Sequence, residues 1–306
     1  MSVTRPTDGE YVCHGVTWAT GGPRLLLAPL PDGPLVYAEI MNQRLGFSVG
    51  ADRWCTGRYR FADTVRVEAM ACPDRATAGQ SDQCARCFRQ DEFRFAHQFH
   101  QDGNVPEALS QYMNQPHWLY LATFADGATK IGTAAEPRKQ SRLDEQGALL
   151  ATYLTKAPDG SAVRHLEDAV TRGLQIPQTV RAMTKLKALA NLTDLTTATA
   201  THDHHVTRAA DALAGMDISV VLEKWNPPAE GDSMRVANGV RMLYPHNLRA
   251  DEHGFTVVSC VGTQVLAVLD GDDDVDYVLD LGTLKGRRIT LGPFASTAAA
   301  VQSSLF

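Results

Sequence analysis

No apolar run in the 306 residues reaches roughly 18, the length a membrane-spanning helix needs, so a transmembrane segment is not expected. The opening MSVTRPTDGEYVCHG lacks the apolar stretch of a secretory signal peptide, and a cytoplasmic protein is expected. In that compartment the six cysteines should be reduced or metal-bound rather than joined as disulfides. Basic charge is in short supply as well. Lys and Arg total 29 against 35 Asp and Glu, a net charge of −6. This argues against a protein that coats nucleic acid non-specifically over its whole surface, and leaves room for a local basic cleft. Hydrophobic residues at 44% and charged residues at 21% fit a soluble globular chain. The length allows one large domain or about two to three small ones.

The cysteines are unevenly placed. Cys84-Ala85-Arg86-Cys87 is a C-x-x-C, half of a tetrahedral zinc site, because a knuckle turn aims both sulfurs at one metal. A second C-x-x-C is missing. Cys72 and Cys55 supply the other half, with His97 and His100 as substitutes for Cys55. The polar flank Gly79-Gln80-Ser81-Asp82 does not suit a thioredoxin-like redox pair, which opens a helix after a buried strand. With four protein ligands the zinc would be structural, because no coordination position stays open. Before this cluster, residues 1–50 read as short strands broken by Gly21-Gly22-Pro23 and Pro31-Asp32-Gly33-Pro34.

The most informative stretch is residues 117–172. Trp118, Tyr120, Ala122 and Phe124 alternate with Leu119, Leu121 and Thr123, and Asp126-Gly127 supplies a turn, so a hairpin is expected. A second strand, Thr129 to Thr133, runs into a helix with Pro137 in its first turn and Leu143, Gln146, Ala148 and Leu150 following. A further helix opens at Asp159-Gly160-Ser161 and carries Val163, Leu166 and Val170 on one face. Polar residues gather at the joins: His117, Tyr120, Lys130, Arg138, Arg142 and Glu167. A phenol, guanidiniums and a carboxylate in a compact unit suit phosphodiester cleavage: the carboxylate holds a divalent metal, arginine neutralises phosphate, and tyrosine or lysine handles a proton. Ordinary structural readings stand beside these. His117 can bond a backbone group at a strand edge, Glu167 can pair with Arg164 on a helix face, and Gln146-Gly147 can close packing or cap a turn.

WLYLATF and TKIGT, with Arg142 and Glu167 behind them, resemble the GIY-YIG nuclease superfamily. The chain is more closely similar to an uncharacterised family that joins a cysteine cluster to a GIY-YIG-like core. That similarity runs through His117, Tyr120-Leu121-Ala122, Lys130-Ile131-Gly132, Arg142 and Gln146-Gly147-Ala148. Only the tyrosine of the first tripeptide is kept, and Lys130 stands where the second has its tyrosine. The resemblance implies a nuclease acting on DNA or RNA. Glu167 would bind Mg2+ or Mn2+, Tyr120 or Lys130 would move the proton, and His117 would sit beside Tyr120. Arg138, Arg142 and Gln146 would hold substrate. A nucleic-acid-binding module without cleavage, and an enzyme for a small phosphorylated or nucleotide substrate, are the alternatives.

Beyond the core, a helix is expected from Pro177, carrying Val180, Met183, Leu186, Leu189 and Leu192. The Thr/Ala-rich tract Thr193 to Thr201 reads as a linker, followed by His202 to His205 and a helix from Val206 to Leu213. Strands follow at Ile218–Leu222, Val240–Tyr244, Phe255–Val261, Gln264–Leu269, Tyr277–Asp280 and Arg287–Leu291. Asp270-Gly271-Asp272-Asp273-Asp274 lacks the closing glutamate of a calcium loop and reads as a solvated turn. The expected architecture is α+β in three parts. These are a β-rich zinc-bearing part (1–112), a GIY-YIG-like core of small antiparallel sheet and helices (113–200), and a β-rich C-terminal domain (201–306).

Overall fold

The computed structural model describes residues 7–19, 21–63, 66–79, 81–94, 96, 107–192, 195–236 and 239–296, and the fold is α+β. Strands β1 (Gly9–Ala19), β2 (Gly22–Pro29), β3 (Val36–Glu39) and β4 (Arg44–Arg53) open the chain. A small hairpin, β5 (Arg58–Phe61) and β6 (Val67–Met70), leads to α1 (Ala85–Gln90) and α2 (Glu107–Met113). The middle holds β7 (His117–Thr123), β8 (Thr129–Ala135), α3 (Lys139–Asp144), β9 (Leu150–Ala157), α4 (Gly160–Leu174), α5 (Ala182–Ala190) and α6 (Thr196–Ala214). The chain closes with β10 (Glu223–Lys224), α7 (Asp232–Arg235), β11 (Val240–Leu243), β12 (Glu252–Val261), β13 (Gln264–Leu269), β14 (Asp272–Asp280) and β15 (Arg287–Leu291).

Two main sheets result. The larger has nine strands in the order β11-β14-β13-β12-β4-β15-β1-β2-β3. Two of its first four strands thus pair with the last ones: β4 lies between β12 and β15, and β15 pairs with β1. The linear division into 1–112, 113–200 and 201–306 therefore does not match the sheets. The chain's two ends build one sheet, and the middle is inserted between β4 and β11. Alternation with period two explains its packing. Val265, Ala267, Phe255, Phe47 and Leu27 enter one apolar core, while Leu266 and Val278 turn the other way, onto Leu189 of α5 and Met234 of α7.

The smaller sheet, β10-β9-β7-β8, carries the site. β7 is buried along its whole length, because both neighbours pair with it and both faces are covered. Leu119, Leu121 and Ile131 face Val163 and Val170 of α4 and Leu213 of α6. Trp118, Tyr120 and Ala122 face the other way, with Leu143 and Tyr153. α4 starts where Asp159 accepts from the Ala162 amide at 2.8 Å and stops at Gln175, which has a left-handed φ of 57°.

Three local expectations are corrected. Leu150 begins β9 instead of continuing a helix. Gly147 at φ 71° breaks the turn after α3, and the alternating Ala151, Tyr153 and Leu154 then fill both faces of the sheet. The Thr/Ala tract is helical from Thr196 onward, because α6 is anchored by His202, whose two ring nitrogens bond Thr123 and Thr152, each at 2.9 Å. Residues 218–222 form no strand, although Ser219 and Val221 still bond Thr155 and Leu154.

Candidate functional site

The cysteine cluster is compact. The sulfurs of Cys55, Cys72, Cys84 and Cys87 all lie within 4.8 Å of one another, and Cys72 and Cys84 are 4.0 Å apart. α1 explains the C-x-x-C half: Cys84 caps the helix and accepts from the Cys87 amide at 3.5 Å. Cys55 accepts from the amides of Gly57 and Cys84 at 3.3 and 3.1 Å. Such N–H donors stabilise thiolate charge. Burial holds the Cys55 thiol up at about 11, so a cation is needed to keep it ionised near neutrality. Four sulfurs at this spacing could hold a metal ion such as zinc, since Zn–S bonds of about 2.3 Å set tetrahedral sulfurs a little under 4 Å apart. His97 and His100 lie outside the described residues.

The second feature is a cavity of about 270 Å3 at the outer edge of β8. Segment 177–180 covers that edge, with the Ile131 amide donating to Pro177 O at 3.0 Å. Lys130 and Gly132 come from β8, Tyr120 from β7, Arg142 from α3, Arg164 and Glu167 from α4, and Lys185 from α5. Tyr120 and Gly132 are directly opposite across the β7–β8 ladder. A Cβ at residue 132 would come within 2.5 Å of the Tyr120 ring and hydroxyl, so only glycine lets the ring lie flat there.

Electrostatics sets this cavity apart. Lys130, Arg142, Arg164 and Lys185 line it with one carboxylate, Glu167. Glu167 is 3% exposed, and its Oε2 accepts from Arg164 Nη1 at 2.6 Å. Lys130 is 6% exposed and donates to Gln146 Oε1 at 2.5 Å. Burial, reinforced by Arg142 and Lys185, brings its pKa down to about 7. Lys185 donates to the Gln146 carbonyl at 2.6 Å and lies 4.4 Å from the centre of the Phe124 ring. Burial brings it down to about 8. Tyr120 is fully buried and its hydroxyl has no hydrogen-bond partner among the described residues. Burial raises its pKa, and the neighbouring Arg142 guanidinium works against that rise.

Of the residues singled out in the sequence, Tyr120, Lys130, Arg142, Gln146 and Glu167 meet at this cavity. Arg138 does not. It lines the neighbouring cavity, and its guanidinium is held by both Glu145 oxygens at 2.6 Å. His117 also lines the neighbouring cavity, and its Nδ1 bonds Gln115 O at 2.8 Å. Glu167 pairs with Arg164 in the interior, not on a wet helix face. In the sequence Arg164 stands out only as an ion-pair partner for Glu167, and nothing singles out Lys185. Their spacing on α4 and α5 carries no mark of the cavity, which the tertiary packing alone creates.

A resident divalent metal does not fit the cavity. Glu167 is the sole carboxylate among the lining residues, one of its oxygens is taken by Arg164, and three more cations stand nearby. A magnesium or manganese ion needs a cluster of oxygen ligands and would meet mainly positive charge. Among the described residues, the cysteines are the one His/Cys/Asp/Glu group with metal-holding geometry.

The chain belongs to the DUF2797 family of proteins of unknown function, whose model matches residues 69–231, more than half of the chain. That span takes in Cys72, Cys84, Cys87 and every residue lining the basic cavity. It leaves out all the strands of the nine-stranded sheet and Cys55. No curated protein and no solved structure matches the chain. No described helix is long and apolar enough to cross a membrane.

Proposed function

We propose that the basic cavity is a phosphodiester site at which the protein hydrolyses nucleic acid, and that the four cysteines hold a structural zinc. The observation that carries the first half is four basic side chains and an unpartnered buried phenol converging on one small cavity. Such a cavity attracts an oxyanion, and the phenol O–H gives it a donor. The resemblance of the hairpin to GIY-YIG nucleases agrees with this reading, with Lys130 in the proton-handling place of a tyrosine.

The chemistry follows from the two lysines. Neutral Lys130 takes a proton from water as the water oxygen bonds to phosphorus. Arg142 and Arg164 offset the charge that builds on the phosphoryl oxygens. The bond from phosphorus to the leaving oxygen breaks, and protonated Lys185 gives that oxygen a proton. Glu167 holds Arg164 in position. Lys130 works when deprotonated, above about 7, and Lys185 when protonated, below about 8. The rate should therefore peak between those values and fall on both sides.

The test is cleavage of supercoiled plasmid and labelled RNA across pH 6 to 9, with and without added magnesium or manganese, for wild type, Lys130→Met and Glu167→Ala. Cleavage lost in Lys130→Met, with a peaked pH profile, supports the reading. Equal cleavage by wild type and Lys130→Met refutes it. A second reading is favoured by the size of the cavity, about 270 Å3, which suits one small phosphorylated molecule better than a long strand. In that case polynucleotides stay intact, and phosphate affinity falls as pH rises through about 7 and Lys130 loses its charge.

A further inference from the structure

A second cavity of about 160 Å3 adjoins the basic one and shares Thr133, Arg142 and Arg164 with it. Its character is different. Phe93 and Tyr112 form an edge-to-face pair with ring centres 5.7 Å apart, and the Tyr112 ring meets His117 edge-on at 6.2 Å. Ala134 and Ala135 of β8 also line it, Ala135 packing in the same apolar cluster as Tyr112 and Phe93. The aromatic wall comes from the segment after the cysteine knuckle, while the arginines come from the small sheet. His117 Nδ1 faces the Gln115 carbonyl, so that nitrogen carries the hydrogen. Burial lowers the ring's pKa, which keeps it neutral near pH 7 and leaves Nε2 an acceptor. A cavity of roughly 150 Å3 takes a benzene ring, so this one fits a single six-membered ring better than a fused pair.

We infer that the second cavity holds the pyrimidine base of a nucleotide whose phosphate occupies the basic cavity, an assignment that rests on the phosphate reading above. The aromatic wall offers the base a stacking surface. His117 Nε2 accepts from a base N–H. Arg142 and Arg164, common to both cavities, stand between base and phosphate. Each half of the ligand thus meets matching chemistry, and the unit bearing the cysteines supplies the recognition of the base.

Calorimetric titration of the full metal-loaded chain with 5′-CMP, 5′-AMP, ribose 5-phosphate and inorganic phosphate tests this. CMP should bind about tenfold more tightly than ribose 5-phosphate, the scale of one base stacked on aromatic side chains. Phe93→Ala should remove that advantage and leave the affinity for ribose 5-phosphate unchanged. CMP and ribose 5-phosphate binding equally would overturn the base site while the phosphate site stands. AMP binding as tightly as CMP would overturn the pyrimidine assignment. No binding of phosphate, of ribose 5-phosphate or of either nucleotide would overturn both readings together. The wild-type comparison decides the matter even where Phe93→Ala does not fold.

Discussion

Both main sheets bury polar residues, His253, Ser259, Gln264 and Asp280 in the larger one, but among the described residues only the smaller buries a lysine. The core of the nine-stranded sheet is made of Phe47, Phe255, Leu25, Leu27, Val257 and their apolar neighbours. The four-stranded sheet and its helices bury His117, Lys130, Glu167 and His202, together with Thr123, Thr129, Thr152 and Thr155. Burying an ionisable group is unfavourable unless it is paired or neutralised. The small sheet meets that cost with specific partners: Thr123 and Thr152 for His202, Arg164 for Glu167, Gln146 for Lys130. The smaller sheet is thus set apart by its buried lysine, a group that stability alone would not select.

Mutations can break or sharpen this contrast. The largest effect should come from Phe255→Ala in the apolar core, which should cost about 3–5 kcal/mol in urea unfolding. Phosphate affinity of the folded protein should not change. If it does, the two sheets are not separable in function. Next, Glu167→Ala leaves Arg164 without its carboxylate among three other cations. The loss should be about 2 kcal/mol, less than for a fully buried pair because Arg164 reaches solvent. Added phosphate should restore part of it by binding the folded form, and should do nothing special for Phe255→Ala. Gly262→Ala should destabilise by about 1–3 kcal/mol, because left-handed backbone and the close Gly147 backbone both resist a Cβ. Residue 262 has φ 65°, and a Cβ there would come within 2.6 Å of the Gly147 amide. The shift should pass to Gln146 and move the Lys130 titration midpoint, which NMR would follow.

A smaller effect concerns pH. Lys130 is brought down to about 7 in the folded chain, and an unfolded lysine keeps its proton to about 10.4. Between these values the unfolded chain binds the extra proton, so stability should rise with pH through that window and the full penalty should be present below it. Lys130→Met should remove most of this slope and stabilise the protein at pH 7 by about 1–2 kcal/mol. An unchanged slope would mean that Lys130 is not buried in solution.

What could be read from the sequence was mostly local. The β7–β8 hairpin, the Val163 and Val170 stripe and the Cys84–Cys87 knuckle each depend on a few neighbouring residues. So do the C-terminal strands from Phe255 to Leu291. The order of strands could not be read the same way. Nothing near Arg44–Arg53 marks Glu252–Val261 as its partner, since that pairing depends on which strand edges stay open once the rest has folded. β9 was hidden because Leu143, Gln146 and Leu150 also satisfy helical spacing. At the cavity, the residues in the motif-like stretch were visible by type. Arg164 and Lys185 were not, because surface and buried basic residues look alike in a sequence. Arg138 looked equal to Arg142, and only Glu145 distinguishes them.

The order of strands also bears on how the chain is made. β4 ends at Arg53, and its partner β12 begins at Glu252, so β4 waits for about 200 residues of synthesis. At about 5–20 residues per second, that is on the order of 10–40 s in which β4 lacks both its neighbours, β12 and β15, and β1 lacks β15. The small sheet and its cavity, complete by β10, can assemble during the same interval. A ribosome stalled before Glu252 would therefore carry a formed cavity beside a sheet with open edges, and those edges are where a nascent-chain chaperone would have work to do.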